Sequence, residues 1–349
     1  MEHRMRSPRR IIAGTALLAL AISAHADQAG DHSGHAGHAG HQMSAGQLAV
    51  LRQKVPLYAH LTDEQINQNM SRMTPDSSEY LSAAAVRGEV GVLGLGHGYA
   101  GDGNAQFMAG YARVAQTKPT AVGLGMSMMD SAHVQSAVDQ LVAAGARTIV
   151  VLPSETSETS SLVRQWQYMF GLRDASAYLD VPRIRTDARI VMMSSPTRSP
   201  IIGRILGENL RSASVEPGRE AGLLIMHGPE NKEENEAELR NLARLAEIAR
   251  DASGLSEVFF GSLQDDAPPA VRAANVQALR DWITRTTASG KTVIVAPVLL
   301  TASGRVSQKI ARDLQGLDYK FVDKGMIGNP LFAEWVEQTV AAGVVRAGG

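Results

Sequence analysis

The chain contains no cysteine among its 349 residues. This absence excludes a metal site built from thiolates, and it also excludes a disulfide framework. A protein without a free thiol suits an oxidising compartment, where such a thiol would be a liability. Hydrophobic residues make up 44% of the chain, which is enough for the cores of two ordinary domains.

The chain also lacks an excess of positive charge and an apolar run long enough for a typical membrane span. It has 34 basic and 35 acidic residues, a balance that excludes a typical nucleic-acid-binding protein. Arginines precede a short apolar run, Ile11 to Ala24, which ends in the small-residue cleavage motif Ala-His-Ala. This pattern predicts a secretory signal peptide over residues 1–26, cleaved on export to the periplasm. The alternative is an uncleaved membrane anchor.

Residues 27–46 have almost no bulky apolar side chain and cannot bury enough surface to fold, which predicts a flexible arm. Histidine recurs at every third position within it. Neutral imidazole binds cobalt, nickel and zinc, so we expect the arm to capture a divalent metal ion. The alternative is a low-complexity linker, and residues 47–86 after it are predicted to be a helical linker. The candidate ligands of the arm are His32, His35, His38 and His41.

The rest of the chain contains an internal repeat. Gly91–Gly98 and Ala221–Gly228 are both apolar stretches of strand character, and both end in His-Gly. In each copy there follow a helical segment, a glycine and a second buried strand with a proline near its end. This order predicts two related α/β units, at residues 87–215 and 216–349.

Strands of near-continuous Val, Ile and Leu alternate with amphipathic helices, so we expect α/β architecture with two tandem doubly wound parallel-sheet domains facing a cleft. Parallel sheets bind ligands at the carboxyl ends of their strands, where His97 and His227 fall. The glycine after each histidine lets a ligand approach the backbone closely. Alternate glycines at 94, 96 and 98 do not form the GxGxxG fingerprint, so NAD binding is not expected.

A strand ending in Gly-His-Gly, a helix closing with Ala-Gly-Ala-Arg and the strand Ile-Val-Val-Leu-Pro together resemble the class II tetrapyrrole chelatases, specifically the CbiX-type sirohydrochlorin cobaltochelatases. The resemblance covers residues 89–345 as two tandem units. It implies a cleft in which a metal ion is placed into a tetrapyrrole. It also implies that His97, with His227 in the second unit, serves as metal ligand and as base for the pyrrole protons.

The sequence departs from this family at the second histidine, which the resemblance places a few residues beyond the proline of the third strand. Ser161 stands there in the first unit and Arg305 in the second. Insertion needs a base to remove two pyrrole protons, so this loss puts turnover in doubt. Glu155 could replace the imidazole as an oxygen ligand or serve as a helix cap. Arg305 could pair with a carboxylate of an acidic macrocycle or remain solvated.

The leading interpretation is a periplasmic chelatase-like protein that binds a divalent metal, cobalt or nickel first, and could insert it into a sirohydrochlorin-type tetrapyrrole. His97 is its principal cleft ligand. The alternative is a periplasmic metal or tetrapyrrole binding protein without turnover, such as a scavenger or metallochaperone. We expect no nucleic-acid partner, and we expect a monomer with a pseudo-twofold cleft.

Overall fold

The computed structural model describes residues 43–302 and 304–348. The predicted signal peptide, together with all four histidines of the predicted arm, lies outside these residues. The described residues form one compact unit. Among the described residues, no helix combines the length and the apolar character needed to cross a membrane.

The first half of the described chain forms a five-stranded sheet in the order β1-β3-β2-β4-β5. All its neighbouring strands run parallel except β1, which pairs antiparallel with β3 at the edge. The central strand is almost wholly buried, as a strand covered by helices on both faces must be. The strands are β1 (Ser77–Tyr80), β2 (Val90–Gly96), β3 (Thr120–Leu124), β4 (Thr148–Pro153) and β5 (Arg189–Met192).

The second half forms a four-stranded, fully parallel sheet in the order β7-β6-β8-β9. Its central strand β6 pairs on both sides, as β2 does in the first sheet, so the two halves of the internal repeat have matching cores. The predicted fold class is confirmed by this pair of parallel sheets, and the antiparallel β1 is an addition at one edge. The strands are β6 (Glu220–Met226), β7 (Glu257–Ser262), β8 (Thr292–Val298) and β9 (Lys320–Phe321).

Helices connect the strands, and several begin or end at residue types that favour helix termini. The longest one begins after Asn231, whose side chain accepts the Glu234 N–H, and ends at Gly254 in the left-handed conformation. The helices are α1 (Ala45–Lys54), α2 (Asp63–Ser71), α3 (Gly103–Ala115), α4 (Ala132–Ala143), α5 (Ser161–Met169), α6 (Pro200–Ala213), α7 (Lys232–Ser253), α8 (Pro269–Ala288), α9 (Arg305–Asp313) and α10 (Pro330–Gly348).

The segment before the first sheet is part of the folded core. Leu51 of α1, Ile66 of α2 and the intervening Tyr58 are buried in one hydrophobic cluster with Leu93 of the central strand. Ser44 caps α1 in a capping box with Gln47, so the first helix is fixed at its start. These residues therefore cover one face of the first sheet.

The C-terminal helix α10 returns from the second half to the first. It packs on α3 and α6 and against strands β4 and β5. Gly343 permits this approach, because a Cβ there would collide with Val150 of β4. A second helical seam joins the halves where α6 packs on α7. The two sheets are thus held together by helices as well as by the loops between them.

Candidate metal centre

The two histidines at the strand ends have the same local geometry. His97 follows β2 and His227 follows β6, and each precedes a glycine with positive φ, +81° at Gly98 and +74° at Gly228. His97 Nδ1 lies 2.6 Å from the Gly98 carbonyl oxygen, and His227 Nδ1 lies 3.0 Å from that of Gly228. A carbonyl oxygen only accepts, so Nδ1 carries the proton and Nε2 keeps a lone pair. A backbone partner of this kind is typical of metal-binding histidines.

Two aspartates lie opposite His227. Its Nε2 is 3.6 Å from Asp265 Oδ2 and 3.7 Å from Asp266 Oδ2, and the three ligand atoms lie within 4.8 Å of one another. Asp265 is buried, whereas Asp266 is partly exposed. One imidazole and two carboxylates therefore converge at the carboxyl end of the second sheet, where sequence analysis placed only the imidazole among its predicted ligands.

Asp265 is anchored by two cations. Arg272 Nε donates to Asp265 Oδ1 at 2.7 Å, and the Lys309 ammonium donates to Oδ2. Burial alone would raise the pKa of Asp265, but these hydrogen bonds, with the nearby His227, hold it below its usual range. Because both oxygens of Asp265 already accept hydrogen bonds, the more exposed Asp266 is the better oxygen ligand.

The charges of both histidines act on the carboxyl group of Glu155. Glu155 lies two residues past β4, and its Oε1 is buried without a hydrogen-bond partner. Burial raises the pKa of Glu155, whereas His97 and His227 both lower it. Both imidazoles therefore act on one carboxyl group. An unpartnered buried carboxylate oxygen fits a cation better than it fits the protein alone.

The helix-cap alternative for Glu155 is wrong. Helix α5 is capped by Ser160, whose side chain accepts the Val163 N–H at 3.2 Å. The neighbouring Glu158 pairs with Arg198 at 2.7 Å. Glu155 is thus the acidic side chain of this segment that stays without a protein partner on one oxygen.

Ser161 and Arg305 occupy the positions where the family resemblance would place a second histidine. Ser161 begins α5, and its hydroxyl accepts a hydrogen bond from Arg164 at 3.0 Å. Arg305 begins α9 and is exposed. Burial raises the pKa of Tyr58, the charge of Asp266 raises it further and the charge of Arg305 lowers it. Arg305 and Asp266, which belongs to the His227 cluster, therefore both act on the same tyrosine.

Tyr58 and Tyr178 are buried tyrosines on which the charges of this site act, and sequence analysis missed them. Burial raises the pKa of Tyr178, and the charges of Glu155 and Asp266 raise it further. Both tyrosines come from segments without strand periodicity, the helical region before β1 and the loop after α5. Only the tertiary fold brings them to the cleft, and no local pattern marks them.

Loops of the first half are fixed to helix α7 of the second. Glu238 Oε1 accepts hydrogen bonds from the Ser157 hydroxyl and the Glu158 N–H, both at 3.0 Å. Arg164 Nη1 donates to both oxygens of Glu234, at 2.8 and 3.0 Å. The loop that carries Glu155 is therefore held in place by the opposite half of the molecule.

No family model and no curated protein matches the chain. Among solved structures it is similar to SirB from Bacillus subtilis with Fe3+, with a TM-score of 0.55 and 15% identity over 75% of this chain and 98% of SirB. It is also similar to DR2241 from Deinococcus radiodurans, a multi-domain protein with structural similarity to chelatases, with a TM-score of 0.48 and 15% identity over 73% and 55% of the two chains. The similarity to SirB shows a chelatase-like fold, as the sequence motifs predict.

Proposed function

We propose that this protein binds a divalent metal ion in its cleft, cobalt or nickel first, and inserts it into a sirohydrochlorin-type tetrapyrrole in the periplasm. The observation that carries the proposal is the unpartnered buried oxygen of Glu155, a carboxyl group whose pKa both His97 and His227 lower. Imidazole with carboxylate is a donor set that suits borderline divalent metals. The chelatase-like fold and the strand-end position of both histidines support it.

In this proposal the metal and the macrocycle are both substrates. Entry of M2+ into the ring releases two N–H protons, so the site must accept two protons while it gives up the metal. The Nε2 lone pair of His97 is the first base, and the partly exposed Asp266 carboxylate can take a proton near His227. The exposed Arg305 binds a carboxylate at the macrocycle edge through its guanidinium.

A second candidate function is metal or tetrapyrrole binding without turnover. It is favoured by Ser161, which stands where the family resemblance places a second imidazole and is engaged by Arg164. A serine hydroxyl is a poor base at neutral pH, so a protein of this kind could hold the metal and fail to complete proton removal. Export to the periplasm would also suit a scavenger or a metallochaperone.

One experiment separates the two functions. Purified mature protein is mixed with Co(II) and sirohydrochlorin, and the absorbance change of the macrocycle is followed with and without protein. Insertion faster than the uncatalysed reaction, lost in His97→Ala, supports the enzyme. Tight stoichiometric Co(II) or macrocycle binding with no acceleration supports the binding protein. Absence of binding to either partner contradicts both.

A further inference from the structure

A second group of metal-ligating side chains lies at the carboxyl end of the first sheet, on the edge away from β4. Asp76 directly precedes β1, and because β1 pairs antiparallel with β3, Asp76 lies beside Gly125 at the end of β3. Asp130 and His133 come from the start of α4. The ligand atoms of the three side chains lie within 4.8 Å of one another. None of them belongs to the His97, Glu155 and His227 group.

His133 is buried and aimed into this group. Its side chain is only 4% exposed. Its Nδ1 has no hydrogen-bond partner, although it lies 3.3 Å from Asp76 Oδ2 and 4.0 Å from Asp130 Oδ1. Two ligands each about 2.1 Å from a shared ion are separated by roughly 3.0–3.4 Å. The spacing between Nδ1 and Asp76 therefore suits ligands of one ion better than a hydrogen bond.

The other ring nitrogen of His133, Nε2, has a hydrogen-bond partner, as the non-ligating nitrogen has in metal sites. Nε2 lies 3.2 Å from Ser127 Oγ, which also accepts the Trp166 indole N–H at 3.3 Å. Ser127 has a φ of +51°, a conformation that few non-glycine residues adopt, and Gln165 donates to its carbonyl oxygen. With two acceptor lone pairs, Ser127 Oγ can receive both N–H groups. The other nitrogen, Nδ1, is then free to bind a cation.

The charges around Nδ1 favour a cation. Burial and the neighbouring Asp130 carboxylate raise the pKa of Asp76 to about 6, because two negative groups share one small volume. Burial lowers the pKa of His133 to about 4, which keeps the imidazole neutral at neutral pH. Both aspartates remain partly exposed, so an ion can enter from solvent and keep water ligands.

We propose that Asp76, Asp130 and His133 form a second binding site for a borderline divalent cation such as Co2+ or Zn2+, separate from the cleft between the two sheets. One imidazole and two carboxylates are the donor set of many such sites. The first half of the molecule thus holds a metal at the edge of its sheet in addition to any metal in the cleft.

Trp166 provides a local probe, because its indole shares Ser127 Oγ with His133. Mature protein is titrated with Co(II), a paramagnetic quencher, and tryptophan fluorescence is recorded. We expect a saturable quenching phase that disappears in Trp166→Phe. The midpoint of that phase should move at least tenfold to higher Co(II) in Asp76→Asn and in Asp130→Asn.

The matched control is Asp139→Asn, which removes the same charge from helix α4, next to the group but outside it. Its midpoint should equal that of the unmodified protein, and so should the midpoint of His97→Ala. Equal midpoints for Asp130→Asn and Asp139→Asn would overturn the proposal and leave the group as a neutral histidine beside two carboxylates that bind no cation. Asp130 is exposed, so its variant keeps the test valid even if Asp76→Asn fails to fold.

Discussion

At the scale of single residues, the two His-Gly turns carry the proposed chemistry. Each imidazole donates through Nδ1 to the next carbonyl oxygen, and each following glycine needs a positive φ that other residues adopt only with strain. The sequence repeat predicts both positions. It does not predict that Asp265 and Asp266 would lie opposite one of the two histidines, because that contact joins the ends of two different strands.

His97→Ala is expected to weaken cobalt or nickel binding in the cleft by an order of magnitude or more, with the fold unchanged. The reason is that it removes an imidazole ligand from a site with few protein ligands. Equilibrium dialysis measures the affinity and thermal unfolding checks the fold. The control is His60→Ala, which removes an exposed imidazole elsewhere in the chain. If both variants bind alike, His97 is a structural residue.

Glu220→Gln should lower the free energy of unfolding at pH 7 by about 1–3 kcal/mol. Burial alone would raise the pKa of Glu220, but hydrogen bonds from Lys320, Ser214 and the Val215 N–H outweigh it and hold the pKa below its usual range. The stabilisation is therefore present above about pH 4.5 and is lost as the pH falls through the lower pKa of the folded state.

Denaturant unfolding of the unmodified protein and of Glu220→Gln at several pH values tests this direction of the pH dependence. The difference in unfolding free energy should be largest near neutral pH and should shrink as the solution becomes acidic. A difference that stays constant from pH 7 to pH 3 would show that the charge of Glu220 is not its source.

At the scale of elements, the seam between α6 and α7 depends on two glycines. A Cβ at Gly207 would lie 2.5 Å from Ala252 Cβ and 2.8 Å from the Ala249 carbonyl oxygen, and Gly203 is crowded in the same way by Ile248. Their spacing of four places both on the face that meets α7. These contacts join the last helix of the first predicted unit to the first helix of the second.

Gly207→Ala should therefore destabilise the protein by about 1–3 kcal/mol, even though alanine is the better helix former, because the helices must move apart. Gly218→Ala is the control, since a Cβ at that exposed glycine would meet nothing within 4 Å. Thermal unfolding of both variants gives the comparison. Equal melting temperatures would show that α6 and α7 move apart without a loss of stability.

Most elements follow from hydrophobic periodicity, but α3 is not predicted by it. Its sequence is interrupted by Gly110, which lowers helix propensity, yet the fold needs that glycine because the Phe332 ring of α10 occupies the space of a Cβ. Strand β1 was missed as well, since its four residues Ser-Ser-Glu-Tyr carry no apolar run. Both cases reflect tertiary contacts that no local pattern reveals.

At the scale of the whole molecule, the cleft is built by residues distant in sequence. Tyr58 precedes the first sheet, Glu155 follows strand β4 and Asp266 follows strand β7 of the second sheet. The charges of all three nevertheless raise the pKa of Tyr178. The repeat predicts two sheets and the strand ends that face a ligand. It cannot predict which loops meet across them, because that depends on how α7 and α10 join the halves.

The histidine-rich arm is predicted to store metal independently of the folded core. Met43 is buried and Ser44 caps α1, so the deletion that tests this covers residues 27–42 and leaves the first helix intact. It should lower the number of Ni(II) or Zn(II) ions bound, measured by metal analysis after dialysis. The melting temperature of the metal-free protein should stay nearly unchanged, because a segment so poor in bulky apolar side chains adds little burial.

Metal must be absent from the stability measurement, since an ion bound to the folded state raises its apparent stability by mass action. A second variant, with alanine at the four arm histidines, separates the loss of imidazoles from the loss of chain length. It should lose the same number of ions as the deletion. A large drop in melting temperature on deletion would show that the arm packs on the core, and an unchanged ion count would show that its histidines bind no metal. The four substituted positions are His32, His35, His38 and His41.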